Sequence, residues 1–73
     1  MTTKTETTDM PFAFRRYGGM YEIVSRQTTH IAAYAGTRED AIAKTAALNV
    51  AAKLGTIDRA YPSTASIQAA LGE

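Results

Sequence analysis

The residues able to do chemistry in this chain are few, and they do not cluster. His30 is the only histidine and there is no cysteine. A general base needs an orienting partner and a nearby nucleophile or substrate, and no second residue in the sequence supplies either for His30. One imidazole without thiolates also falls short of a closed set of metal ligands, so no metal, cofactor or catalytic residue is assigned. The carboxylates are dispersed. Glu39 and Asp40 are adjacent in sequence, so on a helix they diverge. Glu22, Asp58 and Glu73 form no pair of evident use, and Gly18-Gly19 lacks the spacing of a phosphate-cradling loop. The expectation is a protein that is not an enzyme.

What remains is a set of contact-making side chains. Arg15, Arg16 and Arg26 are interleaved with Tyr17, Tyr21 and Tyr34. On one sheet face this mixture suits protein recognition, because Tyr and Arg are enriched among binding hot spots. It also suits stacking of single-stranded bases. The plain alternative is a solvated sheet face with tyrosine rings half covered. Arg15 or Arg16 is expected near Glu22 across the Gly18-Gly19 turn, which would neutralise part of the basic patch.

The elements that must position these groups are legible from pattern. Phe12 and Phe14 alternate with Ala13 and Arg15, as in a short strand. Gly18-Gly19 marks a hairpin turn. Met20–Arg26 reads as a second strand, with Tyr21, Ile23 and Ser25 on one face. His30–Ala35 reads as a third, with Ile31, Ala33 and Ala35 opposite His30, Ala32 and Tyr34.

Gly36 to Gly55 carries the strongest signal. Thr37 is a good N-cap, Glu39 and Asp40 suit the positive end of the helix dipole, and Lys53 with Gly55 marks the stop. A broad stripe of Ile42, Ala43, Ala46, Ala47, Val50, Ala51 and Leu54 is expected to lie on the sheet. A thinner stripe through Ala41, Thr45, Leu48 and Ala52 is left either for the C-terminal segment to cover or for self-association through Ala41, Leu48 and Ala52. Ser63 or Thr64 caps a last helix over Ala65–Leu71, closed by Gly72.

Three resemblances follow. The run G-T-R-E-D-A-I-A-K after two strands resembles the strand-to-helix passage of HicB-type antitoxins. Ala41–Leu54, with A-K-T-A-A and A-A-K-L, resembles the last helix of double-stranded RNA-binding domains. That family carries lysines at the helix start, where this chain has Arg38, Glu39 and Asp40, and carboxylates there repel phosphate. In size and style the whole chain resembles small phage accessory proteins of the anti-CRISPR or host-inhibitor type. That likeness implies a protein that occupies a surface on a larger host complex. The lack of a bilayer-spanning apolar run and of an apolar secretory segment near Met1 gives the expectation of a cytoplasmic protein.

Length and charge set the bounds. The chain has 73 residues and a formal net charge of +1. A domain of this size buries roughly 60% of its unfolded surface and is marginal alone, and self-association is one remedy. The near balance of charge gives no strong pull toward nucleic acid or membrane. Residues 1–10 read as a disordered tail, for want of large apolar groups. Residues 11–73 are expected to form one α+β domain ordered β-β-β-α-α. Its three-stranded antiparallel sheet packs on one main helix. The expected core is Phe12 or Phe14, Ile23, Ile31, Ala33, Ile42, Ala46, Val50, Leu54, Ile57 and Ile67. Non-catalytic binding to a protein complex is the first functional expectation, a nucleic-acid binder the second and a self-associating subunit the third.

Overall fold

Alternation of apolar side chains from Phe12 onward builds a three-stranded antiparallel sheet in the order β1-β2-β3: β1 is Phe12–Tyr17, β2 Met20–Ser25 and β3 Ile31–Ala35. Two helices follow, α1 over Arg38–Lys53 and α2 over Thr64–Leu71. These are features of a computed structural model that describes residues 10–72. Of the tail expected over residues 1–10, residues 1–9 lie outside the described residues. The layout is the expected β-β-β-α-α.

The turns have local causes. Gly18 takes φ +62° between the paired residues Tyr17 and Met20, and Gly19 does not. Positive φ at the first central residue alone is the type II′ pattern, whose twist suits a hairpin. The β2–β3 connection is closed by the Ser25 amide donating to the His30 carbonyl at 2.9 Å and the Thr29 amide donating to the Ser25 carbonyl at 2.8 Å. It holds Thr29 at φ 60°, an uncommon conformation for a β-branched residue.

Helix α1 begins and ends as its sequence signals. The Thr37 hydroxyl accepts from the Asp40 amide at 3.1 Å. At the other end Gly55 is left-handed (φ +80°), its amide donating to the Ala52 carbonyl and the Thr56 amide to the Ala51 carbonyl. That pair of bonds is a Schellman motif.

The face that α1 turns inward differs from the expected one. Ala41, Thr45, Leu48 and Ala52 are buried, with Ala41 and Leu48 both fully inaccessible. At 100° per residue they fall within an arc of about 60°. They pack on the helix-facing rows of the sheet, where Phe12, Phe14, Tyr21, Ile23, Ala33 and Ala35 meet them. Most of the broad stripe does the opposite, although Ala51 at its edge is buried and joins the core. Ile42, Val50 and Leu54 are 44%, 58% and 73% exposed, and Ala46 is exposed beside them. The three residues read as a self-association surface, Ala41, Leu48 and Ala52, are therefore core. Ile42, Ala46, Val50 and Leu54 are not.

Two polar anchors explain the choice. The Asn49 carboxamide accepts from the Phe12 amide at 2.8 Å and donates to the Phe12 carbonyl at 3.2 Å, clasping the backbone of edge strand β1. On the other side Lys44 Nζ donates to the Tyr34 carbonyl of edge strand β3 at 2.8 Å, and pairs with Asp40 one turn back at 3.3 Å. Lys44 and Asn49 project about 70° to either side of the buried arc. Rotating the helix to bury Ile42 and Val50 would break both anchors and leave polar groups at the edges of β1 and β3 without these partners.

The remaining chain closes one end. Ile57 and Pro62 are buried, and the Arg59 and Ala60 carbonyls accept from Ser25 Oγ and Thr28 Oγ1, both at 2.7 Å. Asp58 accepts from the Ala60 and Tyr61 amides, and these two bonds lower its pKa below the ordinary 3.8. Helix α2 is capped by Ser63 and ends at left-handed Gly72, with Ile67 reaching the core.

Replacing Asn49 with alanine removes both clasp bonds while favouring the helix intrinsically. Urea denaturation is expected to show a net loss of about 1–2 kcal/mol; unchanged stability would mean the clasp is idle. Thr45 Oγ1 is buried with no hydrogen-bond partner. Thr45→Val should therefore raise stability by about 1 kcal/mol in the same measurement, and a loss would show that the hydroxyl is satisfied.

Candidate binding face

The sheet has one face under α1 and one face that no element among the described residues covers. Register assigns each side chain. On the helix side the rows are Phe12–Ser25, Phe14–Ile23–Ala33 and Arg16–Tyr21–Ala35. On the open side they are Ala13–Val24–Ile31, Arg15–Glu22–Tyr34 and Tyr17–Met20. A bulge separates the two sets in β3, because Ile23 pairs with Ala33 and Val24 with Ile31. Ala32 is the extra residue, and both Ala32 and Ala33 pack toward the core. Ile31, expected in the core beside Ala33, is turned instead to the open face. There it lies half-buried next to Val24.

This geometry divides the six candidate contact residues. Arg15, Tyr17 and Tyr34 share the open face. Tyr21 does not: it packs against the core and meets Phe14 edge-on, ring centroids 5.9 Å apart. Arg16 is its cross-strand neighbour, exposed at the helix-side rim. Arg26 lies past the end of β2 in the turn, also exposed. The period-two rule parts Arg15 from Arg16 and Tyr17 from Arg16, so a single arginine–tyrosine surface of all six does not form. Met20, exposed beside Tyr17 on the open face, was not among the expected contact residues. Its position two residues before Glu22 in β2 was the available signal.

At the centre of the open face sits a buried charge. Glu22 is 4% exposed, and its Oε1 accepts from Arg15 Nε at 2.9 Å. The Arg15 side chain remains about half exposed, at 52%. Around this pair stand Tyr17, 64% exposed, and Tyr34, 49% exposed. The face thus offers two accessible aromatic rings and a thioether over an apolar row, with its carboxylate already satisfied by its only arginine. Of the other cations, Lys44 is held by Asp40 and the Tyr34 carbonyl. The Arg38 guanidinium carbon lies 6.0 Å from the Phe14 ring centroid, on the helix side.

His30 is exposed and meets Tyr61 edge-on at 5.5 Å between centroids. No group of three or more His, Cys, Asp or Glu side chains is placed to hold a metal ion among the described residues. No helix among the described residues is long and apolar enough to cross a membrane.

Arg15→Ala leaves Glu22 without its ion-pair partner and is expected to cost about 1–2 kcal/mol, the pair being half open to water. The double change Arg15→Ala with Glu22→Gln should recover part of that loss in the same denaturation assay. If it recovers none, the pair contributes through packing of the arginine stem and not through charge.

Comparison of the chain with protein-family models, with curated proteins and with solved structures gave no match.

Proposed function

We propose that this chain is a non-catalytic protein-binding module whose working surface is the open face of the sheet. The observation that carries the reading is the combination found there: Tyr17, Tyr34 and Met20 exposed around a carboxylate that already has its cation. Exposed aromatic groups on a rigid sheet fill pockets in a partner at low entropic cost. The Arg15–Glu22 pair at the centre supplies a polar contact of fixed geometry. Binding acts by occlusion, covering a surface on a larger protein complex. The likeness in size and style to phage-encoded inhibitors of the anti-CRISPR type agrees with that mode of action and supplies the host-complex version of it.

The same observation weakens the nucleic-acid reading. A base-stacking sheet face needs unpaired cations beside its aromatics to hold phosphate. Here the face's arginine is engaged by Glu22, while Arg16 and Arg26 lie elsewhere.

The test replaces Tyr17 and Tyr34 together with alanine. Both are exposed, so helix content by circular dichroism should stay unchanged. A partner protein recovered by affinity capture with the wild-type chain should be lost with the double variant. Retention of the partner would refute the sheet-face assignment. Titration with single-stranded RNA and DNA at two salt concentrations should show no binding. Tight, steeply salt-dependent binding would favour the nucleic-acid reading instead.

A further inference from the structure

A second surface lies on the opposite side of the molecule, on the outer face of α1. Its central strip spans an arc of about 120° at 100° per residue, holding in angular order Ile42, Lys53, Ala46, Glu39, Val50 and Leu54. All six are exposed, the three large apolar ones by 44%, 58% and 73%. Neither Glu39 nor Lys53 has an ion-pair partner among the described residues.

All of these residues but Leu54, whose mirror position is Arg38, are arranged symmetrically about Ala46. Glu39 and Lys53 lie equally far from it in sequence, and so do Ile42 and Val50. We propose that this face binds a second copy of the chain, with the two α1 helices antiparallel and a two-fold axis passing at Ala46. In that arrangement Ile42 meets Val50 of the partner subunit. Glu39 meets the partner subunit's Lys53, and each contact occurs twice, as an isologous interface requires. A parallel arrangement would set Glu39 against its own copy and Lys53 against its own, which repel. The alanine at the axis allows close approach of the two backbones, to the lower end of the usual 8–10 Å between helix axes.

The charge pairs also fix the crossing. Each lies about 10.5 Å along the helix from the axis. At the shallow crossing of about 20° the paired positions are displaced laterally by only about 4 Å, which long side chains bridge. A steep crossing of about 50° would part them. One helix face on each side buries on the order of 1,000 Å² in total, the lower end for a specific interface, so dimerisation is expected at micromolar concentrations.

Sedimentation equilibrium over a concentration range bracketing that affinity tests the arrangement. The wild-type chain should pass from monomer to dimer. Val50→Glu should raise the dissociation constant at least about tenfold. Glu39→Lys and Lys53→Glu should each raise it by about fivefold, because each change sets like charges together at two places. The double swap Glu39→Lys with Lys53→Glu should restore dimerisation. Because the chain has no cysteine, Ala46→Cys adds an independent readout: mild oxidation should give a disulfide-linked dimer, since residues at the axis approach within about 5–6 Å. Circular dichroism on every variant checks that α1 is intact. A chain monomeric throughout, a dimer indifferent to Val50→Glu, or a double swap that fails to restore association would each overturn the proposal. The Tyr17 and Tyr34 double variant should dimerise like wild type, which separates this surface from the sheet face.

Discussion

The helix is held to both edges of a three-stranded sheet, and most of the structure follows from that constraint. A single helix across a narrow sheet has only apolar contact to fix its rotation, and an alanine-rich helix offers little to choose between one face and another. Asn49 on one flank and Lys44 on the other remove the ambiguity by reaching the Phe12 backbone and the Tyr34 carbonyl. Both are directional bonds to groups on edge strands, so they set rotation and translation together. The small side chains between them, Ala41, Thr45 and Ala52, then let the helix settle close enough for Leu48 to fill the remaining space beside Ile23. The Asn49 clasp also occupies β1 at Phe12, one of the places where an edge strand would otherwise recruit another.

With rotation fixed, two surfaces are left outside, and they differ in kind. The outer helix face is aliphatic, with charge only toward its ends. The open sheet face is aromatic, with charge at its centre. Glu22 is the unusual element of the second. A nearly inaccessible carboxylate, on a face that no element among the described residues covers, is held by Arg15 from the neighbouring strand. Removing a charge from water is costly unless it is paired, so the pair is a fixed feature of that face and not a mobile surface contact. Tyr17 and Tyr34 flank it on strands whose positions the helix anchors have already set.

Much of this is legible in the amino-acid sequence. Strand order, the Gly18 turn, the Thr37 cap and the Gly55 stop depend on local backbone chemistry, and local chemistry is written in neighbouring residues. A contact of Glu22 with Arg15 or Arg16 followed from pairing across a two-residue turn, and register selects Arg15. Helix rotation did not follow. Counting apolar volume favoured the stripe with Ile42, Val50 and Leu54. The deciding interactions are long-range bonds from Asn49 and Lys44 to backbone 37 and 10 positions away. One clue was present: Asn is a poor residue for a helix interior, and Asn49 sits among alanines where nothing local needs it. The bulge at Ala32 was likewise hidden, since a run of alanines carries no alternation to interrupt. It moved Ile31 from the expected core to the open face. The period-two rule, applied to Arg15 through Tyr17, already forbade one surface containing all the candidate arginines and tyrosines.

The two outer surfaces lie on opposite sides of a two-layer molecule, and this bears on how they act together. Joined back to back through α1, two copies stack as sheet, helix, helix, sheet. Each open sheet face then points away from the other, so neither is covered by assembly. The proposed dimer would therefore present two identical open faces, separated by the thickness of the helical layers. Two faces so fixed could not both close on a single flat target; under the two proposals they would join two targets or two copies of one subunit in a symmetric complex. When both sites engage one assembly, the second contact forms at an effective concentration set by this rigid spacing, and weak faces combine into firm attachment. In the proposed arrangement a small domain with a modest interface on each side would gain in this way what it lacks in area, and association through α1 would supply further burial.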